Sequence, residues 1–304
     1  MQPNLHWKTQ SKGIHMLSTI SLRHIGILII LLKSALILFF VLQILFFSSE
    51  ANAFSFDNNI FIFIAAGFAA QLIDGALGMA YGVSCNSLLL GFGVPPALAS
   101  ASIHTAEVFT TGVSGLSHLL LRNVNRRLLL KIAIPGVIGS ATGAFLISSV
   151  IDGGIIKPVI SGYLLLMGVL ILRKSLSRTE IVPQTNTKKV SFLGLVGGFF
   201  DAIGGGGWGP IVTTNLIHRG NTPKQTIGTV NTAEFFVSFV STGIFIFILG
   251  VQNWQIVLGL IIGGVIASPL GALLAGKIKP KILMTLVGIT IILISAITII
   301  KALS

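Results

Sequence analysis

Apolar runs close to the length of a membrane crossing recur along this chain, separated by short polar segments where lysine and arginine cluster. A helix needs about 20 consecutive apolar residues to span the hydrocarbon core. Inside lipid only helices and closed barrels satisfy their own backbone hydrogen bonds. The runs are continuous rather than alternating, which selects helices. Only 9% of the 304 residues are charged, against the roughly one quarter expected of a water-soluble domain. The sequence predicts an all-α integral membrane protein, crossing the cytoplasmic membrane many times, with the lipid bilayer as its main partner.

The net charge of +12 does not signal nucleic acid, because the basic residues lie in the segments between spans. That placement is what topology determination by cytoplasmic positive charge produces. Cys85, the single cysteine, excludes a disulfide framework and supplies no zinc-ligand spacing. At the N-terminus, Lys8, Lys12, Arg23 and Lys33 precede the apolar run Ala35–Phe47. Ala51-Asn52-Ala53 then fits a signal-peptidase site before Phe54. Residues 1–53 read as a signal peptide or an anchor helix, and both readings place Phe54 outside the cytoplasm.

The rest of the chain is duplicated. A shift of 127 positions aligns residues 74–109 with 201–236 without a gap and gives ten identities in 36 positions. Asp74 falls on Asp201, Gly78 on Gly205, Gly82 on Gly209, Pro96 on Pro223, and Thr105-Ala106-Glu107 on Thr232-Ala233-Glu234. The boundaries are 54–176 for repeat 1, 177–190 for a cytoplasmic linker and 191–304 for repeat 2. Each half holds a glycine-broken apolar stretch (60–91; 191–217) and then three spans, near 97–121, 128–149 and 155–172, and near 226–249, 254–276 and 283–300. If each broken stretch is a re-entrant hairpin, each half crosses three times and the second half is inverted. That topology puts 17 of the 20 basic residues in the cytoplasm, only Lys157 and Lys301 outside, and Lys33 in the N-terminal apolar run. Treating the broken stretches as full crossings would expose Arg219, Lys224, Lys277, Lys279 and Lys281. The fold expected is therefore two inverted repeats, each a hairpin plus three transmembrane helices.

The breaks explain themselves on this reading. A helix end inside lipid leaves N–H groups unpaired, so it survives only where protein or a wet cavity receives it. There its dipole and free donors favour an anion. In "DAIGGGGWGP" (Asp201 to Pro210), Gly204, Gly205, Gly206, Gly207 and Gly209 allow close backbone approach, and Pro210 suits a first helical turn. "DGALGMAYG" (Asp74 to Gly82) is the weaker counterpart, with Gly78 and Gly82 as its elements and Tyr81 opposite Trp208. Tight helix packing is the competing use of such glycines.

Four of the eight acidic residues, Asp74, Glu107, Asp201 and Glu234, fall inside apolar segments as two repeat-related pairs. An intramembrane carboxyl costs about 2.5 kcal/mol or more unless it faces a cavity or partner. Asp74 and Asp201 are placed to cap the breaks or to take part directly. Glu107 and Glu234 are candidate proton carriers, or interhelical hydrogen-bonding groups, because burial favours the neutral carboxyl. Ser100, His104, Glu107, Thr111, Ser114 and His118 are spaced as one helix face, a polar stripe that must look toward protein or water. His104 reads as a hydrogen-bond partner of Glu107 or of the hairpin backbone rather than as a metal ligand. No metal and no cofactor is expected.

At these residues the chain resembles the TauE/SafE family of membrane transporters. The likeness spans about residues 60–300 and rests on "GGGGWGP" (Gly204 to Pro210), "GVPP" (Gly93 to Pro96) and "RNVNRR" (Arg122 to Arg127). The resemblance implies movement of sulfur-containing anions such as sulfite or organosulfonates. The first break is poorer in glycine than the family pattern, and His104 and the two "TAE" glutamates depart from it, which implies a subgroup. The expected function is a secondary transporter for a small anionic solute, working by alternating access with proton coupling. Backbone donors around Gly78–Gly82 and Gly204–Gly209, with His104, Thr105, Asn231 and Thr232, would hold the anion. A cation or metal-ion carrier using the four acids is the rival. An enzyme is disfavoured, since the chain lacks His-Glu-x-x-His, a nucleophile elbow and a nucleotide-binding loop.

Overall fold

The computed structural model describes residues 21–47, 59–176, 187–219, 221–250, 254–274 and 280–303. The expected cleavage site before Phe54 and most of the 177–190 linker lie outside the described residues. Among the described residues the regular structure is helical: α1 Leu22–Phe47, α2 Asn59–Leu77, α3 Tyr81–Gly91, α4 Pro96–Leu120, α5 Arg126–Ser149 and α6 Gly153–Leu176. There follow α7 Thr187–Gly204, a π turn over Gly209–Thr213, α8 Thr214–His218, α9 Pro223–Leu249, α10 Trp254–Leu274 and α11 Pro280–Leu303. Proline opens α4 and α9 and is the first residue of α11, where its missing donor costs nothing. Asn125 caps α5 by accepting from the Leu128 N–H at 3.1 Å.

Seven of these helices are long and apolar enough to cross a membrane: α1, α2, α5, α6, α9, α10 and α11. The polar stripe lowers the hydropathy of α4, although its 25 residues suffice in length. The distribution of residues is the reverse of a water-soluble protein's. Asp74, Glu107, Asp201, Glu234 and His104 are buried, while Leu120, Phe247, Ile262 and Leu286 face outward. This is a multi-pass membrane protein.

Packing sets two helices of the first half against their own counterparts in the second. α4 and α9 run antiparallel, with Ser238 donating to Glu107 at 2.9 Å and Asn231 to Ser114 at 3.0 Å. α6 and α11 are also antiparallel, with Gly168 against Ile291 and Ser175 bonded to Thr285 at 2.9 Å. The remaining contacts exchange across the halves. Gly67 of α2 lies on the backbone of Leu260 in α10, and Gly194 of α7 on that of Ile132 in α5. These glycines let the helix axes approach to backbone contact. α2 and α3 fold back on each other, since Phe63 near the start of one stacks edge-on to Phe92 just after the other, 6.2 Å between centroids.

Basic residues at several helix ends gather at one end of the bundle. Lys174 closing α6 donates to Thr214 opening α8 at 3.0 Å, and the Asn125 N–H before α5 donates to Thr229 of α9 at 2.8 Å. At the opposite end Lys157 and Lys301 line a common cavity with Gly91 and Gly93. α1 packs along α4 through Ile25, Ile29 and Phe40, and Lys33 donates to the Phe109 carbonyl at 3.5 Å.

A Cβ on Gly67 would lie 2.6 Å from the Leu260 carbonyl oxygen, and one on Gly194 2.5 Å from that of Ile132. Gly67→Ala and Gly194→Ala should each destabilise the protein by about 1–3 kcal/mol through overpacking, read as a lower melting temperature in detergent. Gly162→Ala and Gly243→Ala, which meet open space, should be near neutral.

Candidate functional site

Both interruptions are built from one plan. α2 stops at Leu77, Gly78 and Ala80 adopt φ of 67° and 92°, and α3 starts at Tyr81. α7 stops at Gly204, Gly205 and Gly206 adopt φ of 60° and 152°, and the π turn leads into α8. Glycine reaches these conformations without a steric cost. Ala80 stands where the second half has Gly207.

An aspartate from the incoming arm caps each outgoing helix. Asp201 Oδ1 accepts the Trp208 N–H at 2.9 Å, and the Asp74 carboxylate accepts the Tyr81 N–H. Both aspartates are 1% exposed. The capping role considered for them is thus what the geometry contains, and it takes up one donor at each break.

The two breaks meet each other. A Cβ on Gly82 would be 2.6 Å from Gly206 Cα and 2.9 Å from the Gly205 carbonyl oxygen, and one on Gly209 would be 2.8 Å from that of Gly78. Gly78 and Gly205, and Gly82 and Gly209, are equivalent positions, so the contact exchanges the halves. Cross-bonds lock it. Thr213 Oγ1 donates to the Gly78 carbonyl at 2.6 Å, and Asn86 Nδ2 donates to that of Gly204. Tyr163 reaches from α6, covers Gly204 and Gly207, and donates its hydroxyl to Gly206 at 3.0 Å. Trp208 is fully buried, with its indole N–H on the Val230 carbonyl at 3.2 Å.

The stripe of α4 looks into this junction. Ser100 Oγ donates to Ala202 at 2.6 Å, and His104 Nδ1 bonds the Ser100 carbonyl at 2.8 Å. His104 Nε2 then faces Asp201 Oδ2 at 3.3 Å and Glu107 Oε2 at 3.9 Å. Gly82 lies beside Glu107 Oε1, an oxygen with no hydrogen-bond partner. Asp74 Oδ2, Asn86 Oδ1 and the Tyr81 hydroxyl are likewise buried without partners.

Of the residues expected from sequence, the structure brings together Gly78, Gly82, Gly205, Gly206, Gly209, Asp201, His104 and Glu107, with Asp74 close behind. Thr105 and Thr232 bond carbonyls of their own helices, and Thr105 lines a small cavity with Phe40 and Phe245 instead. Asn231 is engaged with Ser114. Tyr163, Asn86 and Thr213 escaped the sequence reading. Asn86 and Thr213 occupy one repeat position as two polar residues, a signal that an identity count overlooks.

Buried ionisable groups around paired helix interruptions in a multi-pass bundle are the arrangement expected of a membrane transporter. The chain belongs to the sulfite exporter TauE/SafE family, whose model matches residues 63–298. It is 44% identical over 252 residues to the probable membrane transporter protein YtnM of Bacillus subtilis (strain 168), an alignment covering 80% of this chain and 84% of that one. No solved structure matches the chain.

Truncating either cap to Ala removes the acceptor for a helix-initiating N–H. Asp74→Ala and Asp201→Ala should each cost about 1 kcal/mol or more in thermal stability. The Asn substitutions keep a side-chain oxygen and should cost less. Melting curves of the four variants check this.

Proposed function

We propose that the protein is a secondary transporter for a small anion of the sulfite or sulfonate class, working across the cytoplasmic membrane by alternating access. The observation that carries the reading is the backbone-to-backbone meeting of the two capped breaks at a buried point. Helix N-termini aimed at one place are a ready anion site. Here Asp74 and Asp201 hold the position a substrate oxyanion would take at Tyr81 and Trp208. Substrate entry exchanges a fixed carboxylate for a mobile anion. The displaced carboxylate then lies beside the substrate charge, which favours its taking up a proton. Glu234, buried in α9 at the position equivalent to Glu107, is the further proton carrier. This links anion movement to proton movement without any nucleotide, and it is transport rather than enzymatic catalysis.

Alternating access requires two arrangements of similar energy, which inverted repeats supply by exchanging their conformations. The antiparallel pairing of α4 with α9 and of α6 with α11 supports that architecture, as does the exchange of contacts between Gly67–Leu260 and Gly194–Ile132. The fold-back of α2 on α3 supports the re-entrant hairpin. The end carrying Arg126, Lys174, Arg219 and Lys224 is cytoplasmic on this reading, and that carrying Lys157 and Lys301 external. The docking of α1 on α4 favours an anchor helix for residues 22–47 over a discarded leader. The units remain 54–176 and 191–304, joined by the cytoplasmic linker.

Flux in proteoliposomes tests the assignment. Sulfite or a small sulfonate should move faster than in empty vesicles, and an inward or outward proton gradient should alter its accumulation. Glu234→Gln should abolish the gradient effect, and Asp201→Asn should slow flux at least about tenfold. Flux of divalent cations with none of any sulfur anion would overturn the assignment in favour of a cation carrier. Separately, cysteine placed at Lys224 of the second half and cysteine at Arg126 of the first should both react with an impermeant thiol reagent only from the cytoplasmic side. Reaction of the Lys224 position from outside would contradict the inverted topology.

A further inference from the structure

The cluster formed by His104, Glu107 and Asp201 is built from both halves of the chain and is 1% exposed or less at every member. Its three ligand-type atoms all lie within 4.8 Å of one another. With Nδ1 held by the Ser100 carbonyl at 2.8 Å, that nitrogen carries a ring proton. Nε2 then faces two carboxylate oxygens, and either a second ring proton donated to Asp201 Oδ2 or a bound cation supplies the positive charge between them. A proton would draw a charge-assisted pair in to about 2.7–2.9 Å. The observed separations from Nε2 are 3.3 and 3.9 Å. Bonds of about 2.0–2.2 Å around a tetrahedral ion put neighbouring ligand atoms about 3.3–3.5 Å apart. The His104–Asp201 separation matches such an edge, and the wider spacing of Glu107 Oε2 requires that side chain to move inward when an ion binds.

Each of these side chains is also oriented from behind. Besides the His104 ring, Ser238 Oγ donates to Glu107 Oε2 at 2.9 Å, and the Trp208 N–H holds Asp201 Oδ1 at 2.9 Å. Outer hydrogen bonds of this kind fix the tautomer and direction of metal ligands. Glu107 Oε1 has no partner and is free to complete the coordination. Asp74, whose Oδ2 is also unpartnered, is near enough for its charge to act on both Glu107 and Asp201. Two carboxylates and one neutral imidazole balance a doubly charged ion. One nitrogen with two oxygens suits a borderline divalent metal better than sodium or calcium.

We propose that His104 Nε2, Glu107 and Asp201 form a binding site for one divalent transition-metal ion that ties α4 of the first half to the break of the second. The second half cannot build a copy, because Asn231 occupies the position of His104. The ion offsets the excess of buried carboxylates beside the junction. The site is that of the resting state, with Asp201 still on the Trp208 N–H, and it does not depend on which anion later displaces that carboxylate.

The purified full chain, stripped with a chelator, is titrated with Zn²⁺ by calorimetry and with Co²⁺ by visible absorption. One equivalent of each should bind competitively, and the Co²⁺ bands should have the intensity of a four- or five-coordinate site. His104→Gln should weaken Zn²⁺ binding at least about 100-fold, and Ser238→Ala about 10–100-fold. Where His104→Gln does not yield a folded protein, the wild-type stoichiometry and Co²⁺ spectrum decide. Absence of wild-type binding up to millimolar Zn²⁺, or an unchanged affinity in folded His104→Gln, would overturn the site and leave a proton or an adventitious ion. Sulfite flux by a chain that binds no metal removes the metal site alone. Metal binding by a chain that moves no sulfur anion removes the anion assignment alone.

Discussion

Backbone N–H groups inside a bilayer have no water to fall back on, and this requirement shapes the centre of the molecule. A continuous helix satisfies them along its length. A chain that stops a helix in the membrane must bring another acceptor to the exposed donors. Asp74 and Asp201 do so from the preceding arm, at the Tyr81 and Trp208 N–H groups. Carboxylates are the expensive choice, since each must be desolvated. Their presence where a serine or a water would have sufficed argues that the charge itself is used. The glycines follow from the same requirement, because only bare backbone lets Gly82 and Gly206 pack closely enough to shield what the caps leave.

The exchange of contacts between the halves makes the departures from it informative. The packing glycines Gly67 and Gly194, Gly78 and Gly205, and Gly82 and Gly209, the capping aspartates, and the polar pair Asn86 and Thr213 come in equivalent positions. His104 does not, and neither does Tyr163, which covers the second glycine run from α6. The two-sided frame thus carries one buried histidine on one side alone. The His104–Asp201 contact joins the halves at the point where the proposed alternating access would move them relative to each other.

Much of this was legible in the sequence because it rests on periodicity and repetition. The six expected spans, such as 128–149 and 283–300, appear within a few residues as α5 and α11, since apolar length and a proline or asparagine at the start determine them. The repeat alignment placed the breaks and the paired acids for the same reason. What it did not yield was which helix touches which. Asn231 and Thr232 looked like pathway residues by analogy with His104 and Thr105, yet their bonds go to Ser114 and Gly228. Tyr163 was invisible because an aromatic in an apolar span carries no pattern, and only its contact with Gly206 gives it meaning. Local sequence records helix ends and stripes, whereas the partners of a stripe are decided by the packing of distant helices.

The central claim is that the two breaks are sealed against each other at rest and part when substrate is carried. Cys85 lies one turn into α3, is 1% exposed, and is the only cysteine in the chain, so it reports this junction without background. Its rate of reaction with a small thiol reagent, measured in membranes with and without sulfite or a sulfonate, tests the claim most directly. The account predicts slow labelling at rest and a clear acceleration when a transported anion is present. Labelling that is equally slow, or equally fast, in both conditions would contradict it.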